Sequence, residues 1–231
     1  MFGIDSTILH PPVDVDSFRR AVLSSSIRDD LILVVSRFHP SKKIENAIRL
    51  ASILKRNGIG KYILVVGNIS PGGMGYYNNL VQLVKTNGLQ DFVRFKINVT
   101  FEKLLNIMQK AKVYFHTLPG EPFGISTVEA MSAGIIPVVP DIGGHTEFVP
   151  QKYQFHTFGE GVEAIAAALN APMSERIKIS DSTRKYSMAN YIKRFQQIVS
   201  QILDNNGPIQ QAPQPLVSTS FKRHSDSMVA A

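Results

Sequence analysis

The stretch LILVVSRFHPSKKIENAIRLASILKRNGIGKYILVV, residues 31–66, decides the architecture. It opens and closes on short apolar runs, Leu31–Ser36 and Tyr62–Val66, that show little polar alternation. Strands read this way when helices cover both faces of their sheet. Between them Ile44, Ala47, Ile48, Ala51 and Leu54 recur at helical spacing, with Ser41 placed as an N-cap and Gly58 beyond the end. Strand, helix and strand follow one another as they do in a parallel sheet layered with helices.

The same alternation continues toward the C-terminus. Further strands are predicted at Phe92–Ile97, Val113–Thr117, Ile135–Val139 and Tyr153–Phe158. Helices are predicted at about 77–86, 101–110 with Thr100 as cap, 126–133, 161–169 and 186–203. The fold class is therefore α/β: a single Rossmann-like, doubly wound parallel sheet, which binds ligands outside the carboxyl ends of its strands. This domain is assigned to residues 17–203. Residues 1–16, with His10-Pro11-Pro12-Val13-Asp14, are too turn-rich for a core element and read as a connection arriving from elsewhere. Residues 204–231 hold Pro208, Pro213 and Pro215 among many Gln and Ser and are expected to be a disordered tail.

Composition narrows the function. The 231 residues include no cysteine, which excludes a disulfide framework and thiolate chemistry. No apolar run approaches the roughly 18–20 residues of a membrane span, and Met1 to Arg20 lacks the pattern of a signal peptide, so a cytoplasmic location is expected. The formal charge of +7 is unevenly placed: residues 31–112 carry 13 basic and 3 acidic side chains, whereas residues 113–203 carry 7 and 8. Such a basic half suits nucleic acid, an anionic lipid surface or a phosphorylated small molecule, against the plainer reading of a solvated face. No aromatic interleaving or nucleic-acid motif accompanies it, so no nucleic-acid partner is expected.

Two constellations carry chemistry. In Glu121-Pro-Phe-Gly-Ile-Ser-Thr-Val-Glu129 a predicted strand has just ended and a predicted helix opens, which is where backbone amides and the helix dipole favour an anion. Gly124 lets the backbone approach a ligand and leaves the amides of Phe123, Gly124 and Ile125 accessible. Glu121 and Glu129 can bracket that site, and a carboxylate accepting from a diol is a common way to hold a sugar, against the plainer reading of a solvated loop charge and a helix-surface charge. The second constellation is Ser36-Arg37-Phe-His-Pro-Ser-Lys42-Lys43, where Arg37 and Lys42 share one strand-to-helix turn and can converge on a diphosphate.

Other signals are weaker. The glycine-rich loop Gly67–Gly75 matches neither a dinucleotide fingerprint nor a P-loop. Six histidines lack metal-ligand spacing, and His116 reads first as structural. Gly143-Gly144 offers a close approach to a ligand or a plain turn.

Arg37 with Lys42, the Glu121…Glu129 pair around Phe123-Gly124, and Ala130-Met131…Gly134 resemble the C-terminal, nucleotide-sugar-binding half of the family 4 (group 1) retaining glycosyltransferases of GT-B fold. The likeness covers about residues 9–203. Val93–Asn98, Phe101–Ile107 and Phe115-His116-Thr117 are similar to the α-1,2-mannosyltransferases that extend a dolichol-linked oligosaccharide from GDP-mannose. The chain departs from the family's usual glycines at Ser36 and Lys43. The resemblance implies a hexosyltransferase, with mannose the expected hexose, in which Arg37, Lys42 and Glu121 are catalytic and Phe123, Gly124, Ile125 and Glu129 bind substrate. Arg37 and Lys42 would stabilise the leaving diphosphate, Glu121 would hold the donor hexose and Glu129 the ribose. The donor would be a nucleotide-diphosphate sugar, with no cofactor and no metal. The acceptor would be a glycan or lipid-linked glycan, bound with an N-terminal GT-B domain supplied in cis or in trans, and peripheral contact with a membrane's cytoplasmic face would follow. Competing readings are a non-catalytic nucleotide-sugar-binding module, a subunit of a split enzyme, and a sugar-nucleotide epimerase of the same architecture.

Overall fold

The computed structural model describes residues 6–23 and 28–204. The tail expected to be disordered lies, from Asn205 onward, outside the described residues. The strands are β1 (Asp29–Val35), β2 (Tyr62–Gly67), β3 (Val93–Ile97), β4 (Ala111–Phe115), β5 (Ile136–Pro140) and β6 (Gln154–Phe155). They form one parallel sheet in the order β3-β2-β1-β4-β5-β6. The helices are α1 (Val15–Leu23), α2 (Glu45–Arg56), α3 (Met74–Thr86), α4 (Phe101–Lys110), α5 (Ile125–Ser132), α6 (Phe158–Leu169), α7 (Met173–Ser182) and α8 (Met188–Asp204).

This is the doubly wound arrangement. The chain moves outward from β1 to β3, then returns past β1 to build β4, β5 and β6 on the other side. β1 and β4 are neighbours whose connections run to opposite faces, so a crevice opens at their carboxyl ends. The central strands are buried on both faces, and alternate residues join two different cores, which fixes their register. Ile32, Val34, Ile63 and Val65 join the core under α2, α3 and α6, whereas Leu31, Leu33, Leu64 and Val66 join the core under α1, α4 and α5. Each such side chain contributes about 1.5–3 kcal/mol on burial, and a one-residue slip would exchange the two sets.

Several local expectations are corrected. Ser41 is not the N-cap of α2. Pro40–Lys42 forms a separate 3-10 turn capped by His39, whose Nδ1 accepts from the Ser41 amide at 3.2 Å, and α2 begins at Glu45 with no side-chain cap. Pro40 lacks an N–H and fixes φ, which suits it to open such a turn. The predicted strand Tyr153–Phe158 shrinks to Gln154–Phe155: Tyr153 closes a 3-10 turn, and Thr157 with Glu160 forms a capping box that starts α6. β4 ends at Phe115, although the His116 amide still donates to Val138 O at 2.9 Å. The N-terminal segment, expected to hold no core element, buries Val13 and Val15 beside Val128 and Tyr186. Asp14 then accepts from the Ser17 amide and opens α1. α7 carries little apolar period in sequence, because Arg176 and Ser180 share its buried face with Ile179. Arg176 lies there with its guanidinium donating to Lys112 O at 2.6 Å and Ala168 O at 2.9 Å, and Ser180 donates to Ser132 O at 2.6 Å.

Candidate functional site

A cleft of about 500 Å³ opens at the carboxyl ends of β1, β2 and β4, and all seven residues singled out in the sequence line it. Arg37 and Lys42 come from the turn between β1 and α2. Glu121, Phe123 and Gly124 come from the loop between β4 and α5, and Ile125 and Glu129 from α5 itself. Val99 and Leu104, at the start of α4, supply apolar wall, as does Pro11 from the N-terminal segment.

The cation turn is held from the far side of the crevice. Thr117 Oγ1 donates to Lys42 O at 2.6 Å, and Asn46 Nδ2 donates to Thr117 O at 3.0 Å. These bonds carry the turn to the end of β4, where Lys42 Nζ meets Glu121 Oε2 at 3.1 Å. His116, its Nε2 3.7 Å from the same oxygen, and then Lys42 hold the Glu121 carboxyl down to about 2, against the opposing effect of burial. Arg37 is exposed, and among the described residues its guanidinium makes no hydrogen bond or ion pair. It is a cation facing solvent at the rim of the cleft.

The opposite wall is the N-terminus of α5. Gly124 sits there at φ +95°, a left-handed conformation that glycine takes freely, and its carbonyl accepts from the amides of Thr127 and Val128. The amides before Thr127 have no intrahelical acceptor, so together with the helix dipole they favour an anion in the cleft. The ring of Phe123 packs among His10, Phe148 and Tyr186 and anchors this loop to the domain. Gly143 and Gly144 serve the same loop rather than a ligand. Gly144 donates to Glu121 O at 2.8 Å, and a Cβ there would lie 1.9 Å from Pro122 O.

Glu129 lies one turn into α5. Burial first, and the nearby charge of Asp14 second, push its carboxyl up to about 7. Such a group ionises when hydroxyl donors face it, because hydrogen bonds to the carboxylate offset its desolvation. A diol presented to Glu129 is therefore a well-matched ligand.

Three cleft residues carried no clear sequence signal. Tyr114 and His116 alternate on one face of β4 and its extension, with Tyr114 Oη 3.0 Å from His116 Nδ1 and 2.8 Å from Ser126 Oγ. Their i, i+2 spacing is the one hint the sequence holds. Among the described residues no three His, Cys, Asp or Glu side chains gather so as to hold a metal ion, and no helix is long and apolar enough to cross a membrane.

A Rossmann-type sheet with paired cations, a glutamate-flanked helix start and an open cleft at its switch point is the architecture of one domain of a GT-B glycosyltransferase. The chain belongs to the glycosyl transferases group 1 family, whose sequence pattern matches residues 17–191. Its relatives include the GDP-Man:Man(3)GlcNAc(2)-PP-Dol alpha-1,2-mannosyltransferases of Dictyostelium discoideum, 28% identical over 226 residues, and of Homo sapiens, 30% identical over 202 residues. These alignments cover 89% and 79% of this chain but 45% and 40% of the relatives, so the chain spans less than half their length. Similar folds occur in a glycosyltransferase from Rickettsia africae (TM-score 0.68, 17% identity, 87% of this chain and 58% of that one) and in sucrose-phosphate synthase from Thermosynechococcus elongatus (TM-score 0.67, 20% identity, 87% and 53%).

Proposed function

We propose that this chain is the donor-binding half of a retaining hexosyltransferase that takes GDP-mannose and passes mannose to a lipid-linked glycan. The observation that carries the reading is the convergence of Arg37, Lys42, the α5 N-terminus, Glu121 and Glu129 on one cleft. The diphosphate lies between the two cations and the helix start, the ribose diol faces Glu129, and the hexose hydroxyls face Glu121. As the bond from the anomeric carbon to the phosphate oxygen breaks, negative charge builds on the terminal phosphate. Arg37, Lys42 and the α5 amides then meet it, with no cofactor or metal assigned to the step. The acceptor hydroxyl attacks on the face the phosphate leaves, and its proton passes to the departing phosphate oxygen.

The acceptor is bound by a second domain, in cis or in trans, a reading supported by the share of the relatives' length that this chain leaves unmatched. Contact with an anionic membrane face is supported by a second groove, of about 740 Å³, between β3 and α4. Arg94 and Lys96 alternate onto one face of β3, Lys103 and Lys110 lie two turns apart on α4, and among the described residues no carboxylate lines the groove. Its floor is apolar, from Leu31, Leu64 and Ile107. Such a surface supports peripheral contact with the cytoplasmic face of a membrane. Calorimetric titration with GDP, UDP and ADP and with their sugars tests the donor reading. Binding of GDP-mannose above the other donors supports it, and no binding of any of them at millimolar concentration defeats it.

A further inference from the structure

We infer that His116 is a positioning residue that aims Glu121 at the donor hexose once Lys42 is drawn to the diphosphate; this rests on the reading above. His116 is buried, and among the described residues its Nε2 has no hydrogen-bond partner. A buried polar nitrogen left in this state calls for an explanation. The nitrogen faces the cleft, with Glu121 Oε2 3.7 Å away, close enough for attraction and too far for a hydrogen bond. Lys42 Nζ holds the same oxygen at 3.1 Å. A diphosphate competes for Lys42, and the carboxylate then needs another donor if it is to stay ionised and in place.

The bonds at Tyr114 admit either direction, and the Glu121 carboxylate beside Nε2 selects the tautomer with the proton on that nitrogen. Tyr114 has a single hydroxyl proton and two neighbours, His116 Nδ1 at 3.0 Å and Ser126 Oγ at 2.8 Å. With Ser126 donating to Tyr114 and Tyr114 donating to His116 Nδ1, each bond has one donor and one acceptor. Nε2–H is then left to donate to the carboxylate. The neighbouring His145 does not compete for Glu121. Its Nε2 donates to Pro140 O at 2.8 Å, and burial lowers its affinity for a proton. The chain of bonds thus runs from Ser126 through Tyr114 to His116, which leaves Nε2 3.7 Å from Glu121 Oε2.

The test uses this chain. Calorimetry compares GDP with GDP-mannose for wild type, His116→Ala, His116→Gln and Tyr114→Phe, the last removing a single oxygen. Nitrogen-resolved NMR of the imidazoles reads the His116 tautomer directly. The expected results are a proton on Nε2, and GDP affinity within twofold of wild type in every variant. The preference for GDP-mannose over GDP should fall at least tenfold in His116→Ala, fall less in Tyr114→Phe, and largely return in His116→Gln. A proton on Nδ1, an undiminished preference in His116→Ala, or equal losses for both ligands would overturn the inference. Wild type that binds neither ligand refutes the proposed function instead, while the tautomer still decides the hydrogen-bond assignment.

Discussion

Lys42 Nζ and Glu121 Oε2, 79 positions apart in sequence, stand 3.1 Å apart across the junction of β1 and β4. The pair is largely shielded from solvent, its side chains 25% and 18% exposed. In the proposed complex the lysine faces the diphosphate and the carboxylate faces the hexose. A cation placed this way gains most when charge accumulates on the leaving phosphate.

Lys42→Ala and Arg37→Ala, measured in a protein that carries both domains, should therefore reduce turnover more than they raise the Michaelis constant. Loss of one preorganised donor of this type costs roughly 2.7–4 kcal/mol, or about 100- to 1,000-fold in kcat. Arg37→Lys should recover only part of the rate, since an ammonium lacks the planar fork. Steady-state kinetics decide this: near-normal kcat with a raised KM makes these residues binding electrostatics alone.

The raised carboxyl of Glu129 links binding to pH. With the free group near 7 and a ribose diol lowering it, nucleotide affinity should rise with pH, by up to about tenfold per unit below 7, and level off above. Glu129→Gln should remove this contribution, leaving only the titration of the nucleotide's own phosphate. The same shift acts on stability. A carboxyl whose folded-state value exceeds its unfolded value near 4.5 stabilises fully below 4.5, and that contribution is lost as pH rises through 7. Glu129→Gln should thus be more stable than wild type at pH 8, by up to about 3 kcal/mol, and no more stable at pH 4. Calorimetry and thermal unfolding across pH 4 to 9 check both signs.

Gly144→Ala should displace the Glu121 loop, because its Cβ would fall 1.9 Å from Pro122 O. We expect a loss of about 2 kcal/mol or more in stability and weaker binding of sugar nucleotides. Gly75→Ala is the contrast: its Cβ meets nothing within 4 Å, and its place inside α3 favours alanine by up to about 1 kcal/mol. Denaturant unfolding of the two variants separates a backbone crossing from a general intolerance of change.

For the groove between β3 and α4, flotation on liposomes should depend on anionic lipid at physiological salt. Each basic residue near such a surface contributes on the order of 1 kcal/mol, screened by salt. Charge reversal at Lys96, Lys103 and Lys110 should abolish flotation and leave nucleotide binding intact. Equal flotation on neutral and anionic vesicles counts against the membrane reading, and binding to a nucleic acid in its place redirects it.

The seven cleft residues were legible in sequence because each sits where a periodic element begins or ends. Val34 and Val35 mark the end of a strand, so Arg37 and Lys42 had to follow at its carboxyl edge. Glu121, Gly124 and Glu129 were ordered by the helix that Val128 and Met131 announce. His116 was visible at the end of a strand but read first as structural, because a single histidine there has no period and its neighbours Tyr114 and Glu121 come together only in the fold. Gly143 and Gly144 were ambiguous for a related reason: the loop they admit is 22 residues away, at Glu121. Lys43 shows the converse. Its departure from the family's glycine is visible in sequence, and the structure supplies the reason that glycine suits the position, a left-handed φ of +51°.

The account rests on one cleft binding one donor, and NMR of the isotopically labelled chain during titration with GDP-mannose addresses it most directly. The predicted result is saturable shifts in the amides of Gly124, Ile125 and Ser126 and in the side chains of Lys42, Glu121 and Glu129. Saturable binding that leaves those signals in place and moves Lys96, Lys103 and Lys110 in the other groove would contradict it.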